Sequence, residues 1–552
     1  MYKKNNKKFQ TDDQAVNGIN KKYKTNKKIG LFAFFALTAS MVMTIYEYAS
    51  FASAGWALIL FLFIGGLCWF IPVAIMSAEM ATVKGWTDGG LYTWVKRTIG
   101  IRWGFIAVFF QWFQITIGFV TMLLFITTML SFSFGGVGGL ASTTGVNIII
   151  NSTTPGLNYG DATSNLTWAI IGTTFAIVIG LFILISVTQL FGVKYTSMIS
   201  RIGFVAGIVV PFALLFIFGI IFIANNGLNN SMGSFVPSTG DANATMATIS
   251  QLVIFVSFIL SYLGVEASAS QIKNLKNPGK NYPRVMIILV CLAIAFSSIA
   301  GVFIGIATRV GASSGSAQLS FTGGIIQAFL IMLSDTMGHE AAMGLTRFVA
   351  FLMGAAVIAQ ISSWIVGPSK AMQVAAENNL LPKIFAKTNK YDVPIYMILL
   401  QSCFVLMWCV VIIFGMMGGL GVNSTNGDNG SNVGFLGAMQ LTTLVYLLAY
   451  FVLMIAYIKF ALAKPGVYET EFVLLKKKSY KMIFVSLGLI TNLFAFIVAL
   501  FPQSSDTSTY GIYYGIIFGL LIPTVAMPFI IFYFMNKKYK ISDDNLTLNL
   551  NK

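Results

Sequence analysis

Three acidic residues sit where an apolar chain can least tolerate them. Glu266 lies in "SYLGVEASAS" (Ser261–Ser270), after more than twenty residues without a charge. Glu47 lies in "YEY" (Tyr46–Tyr48), and Glu79 in "SAEMATVKGW". A carboxyl embedded in a membrane span is costly, so it marks a solute path or a proton relay by default. In a dry site Glu266 would exchange protons, with mildly acidic pH as its working range. Its plain alternative is a carboxylate near the membrane surface paired with Lys273, about 10 Å away at helical rise. Glu79 adjoins a basic loop and reads as a structural anchor.

Other polar groups recur inside the apolar runs. Tyr446 and Tyr450 are four apart, on one helix face, and buried tyrosine hydroxyls seek partners. "AQISSWIVGPSKAM" carries Gln360, Trp364 and the breaker Gly367-Pro368. Interfacial belts account for many Trp and Tyr residues, but these positions lie well within spans. His339, the single histidine, falls outside them. Cys68, Cys291, Cys403 and Cys409 lack metal-ligand spacing and read as small core residues, so neither metal nor cofactor is expected. There is no H-E-x-x-H, G-x-S-x-G or G-x-x-x-x-G-K-[ST]. That argues against an enzyme and against transport driven by ATP on this chain alone. A channel would want rings of charge or a repeated filter segment, and neither is present.

These residues need a membrane to hold them. The chain has 552 residues, 57% hydrophobic and 10% charged, against roughly 25% charged for a soluble domain. Runs of about 20 uncharged residues, the length that crosses a bilayer, recur as twelve expected spans. They fall near 29–52, 55–80, 103–133, 166–190, 199–224, 247–272, 284–308, 345–374, 394–416, 436–461, 481–501 and 512–535. A shorter stretch at 324–334 is expected as an outside loop helix. The net charge of +17 does not point to nucleic acid. Lys and Arg gather in alternate connections, as the positive-inside rule requires. Residues 134–165, 225–246, 417–435 and 502–511 contain none. Both termini are therefore expected in the cytoplasm. The expected division is a basic tail (1–28), a transporter domain (29–536) and a short tail (537–552). No cleavable signal peptide is visible.

The first and sixth spans are each interrupted, at Thr38–Ser40 and "YEY" and at "SYLGVEAS". Transporters with inverted repeats place broken helices at corresponding positions of their halves. Repeats at about 29–224 and 247–461, with extra helices at 481–535, would make these two spans correspond. Unwound backbone there would bind the carboxylate and amine of a small solute. Small residues also serve tight helix packing, which is the competing explanation.

The stretches "FFALTASMVMTIYEYASFA", "CWFIPVAIMSAEMATVKGW", "FILSYLGVEASAS", "KNPGKNYP", "SSWIVGPSKAM" and "LVYLLAYFVL" resemble the bacterial glutamate/γ-aminobutyrate antiporter family of the amino acid/polyamine/organocation superfamily. The resemblance runs from about Gly30 to about Phe534. It implies an all-α, twelve-helix, five-plus-five inverted-repeat fold with helices 1 and 6 discontinuous. It implies exchange of an external amino acid for its internal decarboxylation product, a cycle that consumes cytoplasmic protons and supports acid resistance. It links the chain functionally to a cytoplasmic decarboxylase. Carried over by position, Tyr46, Tyr262, Glu266, Gln360, Trp364, Tyr446 and Tyr450 would line the substrate path. The backbone of Thr38, Ala39, Ser40 and Met41 would hold the α-carboxylate, and Trp364 would gate.

Two features depart from that family. Its glutamate/γ-aminobutyrate members carry an acidic residue where this chain has Gln360, and a neutral amide cannot titrate. Such members can also carry a long C-terminal plug, whereas this chain ends in "KKYKISDDNLTLNLNK". Another amino acid/amine pair, or a sensor that binds without turnover, are the alternatives. The lysine-rich N-terminal tail is expected to attract anionic lipid, at about 1 kcal/mol per basic residue.

Overall fold

The computed structural model describes residues 28–86, 89–134, 168–228, 252–308, 321–420, 430–464, 466–502 and 510–541. The basic N-terminal tail, the far end of the C-terminal tail and most of the lysine-free connections lie outside these residues. Among the described residues no strand occurs. There are two isolated bridges, Ile29 with Leu275 and Val83 with Thr470.

Eleven described helices are long and apolar enough to cross a membrane. The expected sixth span is absent from that set because it is broken. It consists of Phe255–Leu260 and a 3₁₀ segment Ala267–Asn274, separated by a turn over residues 261–266. The most apolar stretch of the third span, Ile101–Ser133, is 94% buried, against 22% for the last. The third span is thus the central pillar, packed along the eighth (His339–Glu377) and the tenth (Gly430–Leu462). The peripheral fourth, fifth, eleventh and twelfth spans expose Leu184, Ile202, Ile490 and Ile522, as lipid-facing surfaces do.

Local sequence explains the departures from ideal helix. π-helical turns at Ile64–Phe70 and Val205–Val209 run directly into helices whose second residues are Pro72 and Pro211. A proline lacks the N–H for the carbonyl four residues back and clashes with it; widening the preceding turn relieves both. The fifth span meets the eighth through glycine. A Cβ on Gly203 would lie 2.3 Å from that of Ala359, and one on Gly207 2.4 Å from that of Ala356. Such close approach is how small residues pack helices in membranes.

The start of the first span is pinned to the end of the sixth. Ile29 N–H donates to Asn274 O (2.7 Å) and Lys276 N–H donates to Ile29 O (3.1 Å). Both ends therefore share one membrane face. On the loops, Lys84 N–H donates to Glu469 O and Glu471 N–H to Thr82 O. Beneath this bridge Glu79 accepts from Lys481 Nζ (2.5 Å), Tyr457 OH (2.9 Å) and Leu474 N–H (3.2 Å). The anchor expected of Glu79 thus ties the second span to the tenth, the eleventh and the segment between those two.

Several boundaries differ from expectation. A helix at Leu91–Ile99 occupies the basic loop after the second span; its apolar residues were too few to read as a span. The eighth helix begins at His339 rather than 345, so His339 and Arg347 lie on its first turns. The short helix expected at 324–334 is longer, Gly324–Met337, and the last runs to Tyr539. Of the cysteines expected in the core, only Cys409 is buried; Cys291 and Cys403 face outward, as apolar residues can where lipid is the solvent.

Candidate functional site

The first span stops at Val42. Met43 and Thr44 are extended, a 3₁₀ turn follows at Ile45–Glu47, and helix resumes at Tyr48–Ala52. Hydroxyls that bond back to the backbone weaken a helix from within. Here Thr38 Oγ1 donates to Phe34 O and Ser40 Oγ to Leu37 O. The break leaves carbonyls to be satisfied from elsewhere. Met43 N–H takes Ala39 O at 2.8 Å. Met41 O accepts from Trp364 Nε1 (3.0 Å) and Gln360 Nε2 (3.3 Å) on the eighth span. Ser40 is within hydrogen-bond distance of Ser363, which is likewise close to Ser200. The N-terminal half of the first span is thereby joined to the fifth and eighth.

The sixth span breaks at Gly264, whose φ is +97°, a region that L side chains rarely adopt. A Cβ there would lie 2.5 Å from Trp364 Cζ2. Gly264 N–H donates to Tyr450 OH at 2.9 Å. Two residues on, Glu266 is fully buried and accepts from three neutral donors. Tyr446 OH (2.6 Å) and Gln111 Nε2 (2.9 Å) reach Oε1, and Tyr450 OH reaches Oε2. Spans three, six and ten converge on this carboxyl. Its partners are not lysines, so the reading as a surface carboxylate paired with Lys273 falls.

Between the two breaks lies a hollow of about 20 Å³, room for a water molecule and far less than an amino acid needs. The site is therefore closed around it. Its wall includes Met41, Tyr46, Gln360, Trp364 and Tyr446, which brings five of the expected site residues together. Glu266 and Tyr450 stand behind Tyr446 and hold it. Tyr262 lies apart from this wall. Its ring stacks on Phe70 with centroids 4.6 Å apart, turned toward the second span. Thr38, Ala39 and Ser40 lie on the first half-helix; the hydroxyls of Thr38 and Ser40 and the carbonyl of Ala39 are taken by the bonds above. Met41 O already accepts from Trp364 and Gln360, and a carbonyl oxygen suits a donor rather than a carboxylate.

The wall also includes residues that sequence reasoning passed over. These are Thr44, Gln114, Gly118 and Thr121, together with Thr442. Gln111, Gln114, Gly118 and Thr121 form a stripe of polar and small residues along the third span at spacings of three, four and three, one helical face. That stripe was visible in "FQWFQITIGFVT". Nothing in the sequence said that it faced Glu266.

Two interrupted helices facing a small hollow, lined by hydroxyl, amide and apolar side chains inside a polytopic bundle, are the architecture of a membrane transporter. The chain belongs to the amino acid permease family, whose profile matches residues 29–522. It is 38% identical to the glutamate/gamma-aminobutyrate antiporter of Lactococcus lactis subsp. lactis (strain IL1403), over 93% of this chain and 92% of that protein. The antiporter of the same description from Lactococcus lactis subsp. cremoris (strain MG1363) matches to the same extent. An inner membrane transporter of Escherichia coli (strain K12) is 24% identical over 71% of this chain and 76% of its own length.

Proposed function

We propose that this protein exchanges external glutamate for internal γ-aminobutyrate across the bacterial plasma membrane, with both termini cytoplasmic. A cytoplasmic decarboxylase would supply the γ-aminobutyrate and consume the proton, so that exchange supports acid resistance. The observation that carries the reading is the hollow itself. Two helix breaks meet there, and its wall offers hydroxyls, amides and ring faces with no unpaired fixed charge. Such a wall suits a small solute that carries its own opposite charges. The two Lactococcus relatives supply the identity of the pair.

In this reading Tyr46, Gln360, Trp364 and Tyr446 touch the substrate, and Glu266 and Tyr450 set Tyr446. Met41 O would serve the ammonium group only once Trp364 or Gln360 releases it. Tyr262 supports the sixth span from behind, and the backbone of Thr38, Ala39 and Ser40 gains substrate contacts only if the first half-helix moves. The bundle from 29 to 536 acts as the transporter, and the basic tail (1–28) associates with anionic lipid.

Gln360 favours a second reading, exchange of a different amino acid/amine pair, because its amide cannot take a proton. Reconstituted counterflow decides. Liposomes preloaded with γ-aminobutyrate should take up labelled glutamate, and empty liposomes should not. Uptake driven only by another pair would replace the assignment, and binding without counterflow would make the chain a sensor.

A further inference from the structure

The deepest carboxyl left without a task is Glu47. It is fully buried in the 3₁₀ turn of the first span. Oε2 accepts from Thr44 Oγ1 at 2.5 Å, while Oε1 has no hydrogen-bond partner. Its titratable neighbours are Tyr46 and Tyr48 on its own segment and Tyr262 on the sixth span. The seventh and eighth spans and Gly324–Met337 also pack on this segment. Among the described residues they present no ionisable group that acts on Glu47.

We propose that Glu47 is a second proton-carrying carboxyl, neutral in the closed state, whose protonation follows the occupant of the hollow through Thr44. A buried carboxylate with one hydroxyl donor and no cation is far more costly than a neutral acid whose O–H lacks an acceptor. With its proton on Oε1, Glu47 leaves Oε2 free to accept from Thr44. Thr44 is itself part of the hollow's wall. A solute that accepts the Thr44 O–H therefore takes away the hydroxyl bond on Glu47 Oε2. When the site opens, water reaches Oε1, the O–H bond breaks and the proton passes to that water. Glu266 differs: of its three donors only Tyr446 lines the hollow, and Gln111 and Tyr450 keep one bond on each oxygen when Tyr446 is engaged.

The inference rests on the exchanger reading for its physiological meaning, but its first test needs no turnover. Infrared spectra of the purified protein at neutral pH should show the C=O stretch of a protonated carboxyl. The band should vanish in Glu47→Gln, persist in Glu266→Gln and shift in Thr44→Val. Its survival in Glu47→Gln would overturn the proposal. In liposomes Glu47→Gln should exchange with a flattened pH profile between pH 5 and 7.5; the wild-type profile would also overturn it. If Glu47→Gln does not insert, Glu47→Asp decides: the band must move with the shortened side chain. Failure of the wild type to exchange any pair would sink the proposed function and leave the infrared assignment standing.

Discussion

Gly264→Ala is the most direct test of the broken sixth span. An added methyl must occupy a backbone with φ +97°, which costs a non-glycine residue about 1–3 kcal/mol. It would also lie 2.5 Å and 2.7 Å from Cζ2 and Cη2 of Trp364, closer than carbon atoms pack. The indole must then move by about 1 Å, an overpacking penalty of about 1–3 kcal/mol. That shift strains the 3.0 Å bond from Trp364 Nε1 to Met41 O, a further loss of about 1 kcal/mol. Together these come to about 3–7 kcal/mol against the closed state. Even the lower end corresponds to a change of about 100-fold in its population. The assay is labelled-substrate exchange in liposomes, normalised to inserted protein, with thermal unfolding in detergent alongside. Gly180→Ala, where nothing lies within 4 Å of the new methyl, is the control and should match the wild type. If Gly264→Ala exchanged and melted as the wild type does, the sixth span would not pass through this turn, and the site as described would be wrong.

Three further outcomes are expected. Gln111→Leu removes one donor from Glu266 Oε1 and should lower stability by about 1.5–3 kcal/mol, as for a hydrogen bond to a charged group; chemical unfolding in detergent measures it. Glu79→Ala breaks a buried ion pair with Lys481 and strands that lysine, so a loss of about 3–5 kcal/mol is expected, read as a lower melting temperature. On the surface, pairing with Lys84 holds the Glu469 carboxyl below its ordinary range and raises the Lys84 ammonium above its own. Their mutual stabilisation is thus complete at neutral pH. It is lost as pH falls through the lowered Glu469 pKa or rises through the raised Lys84 pKa. Both side chains are 67% exposed, so salt screens the pair; Lys84→Met should leave the melting temperature at neutral pH and high salt unchanged.

The span pattern was legible because a bilayer imposes it: length, hydropathy and alternating basic loops are all one-dimensional properties. The break in the sixth span was legible for a related reason. Small residues weaken a helix wherever they lie, so "SYLGVEAS" announced its break without any knowledge of its neighbours; "TAS" stays helical, and the first span opens only beyond it, at Met43–Glu47. The Leu91–Ile99 helix was not legible as a span, because its apolar face is short and interleaved with Lys96 and Arg97.

The sequence by itself determined the class of molecule, the places where backbone opens and the short list of polar groups inside the bundle. Tertiary structure alone decided which of those groups meet. It placed Gln111 of the third span on Glu266, turned Tyr262 away onto Phe70, and gave Met41 O to Trp364 and Gln360. The physical reason is that helical periodicity assigns a residue to a face. Which face looks inward, and onto what, depends on how separate helices cross, and that packing is absent from the order of residues along the chain.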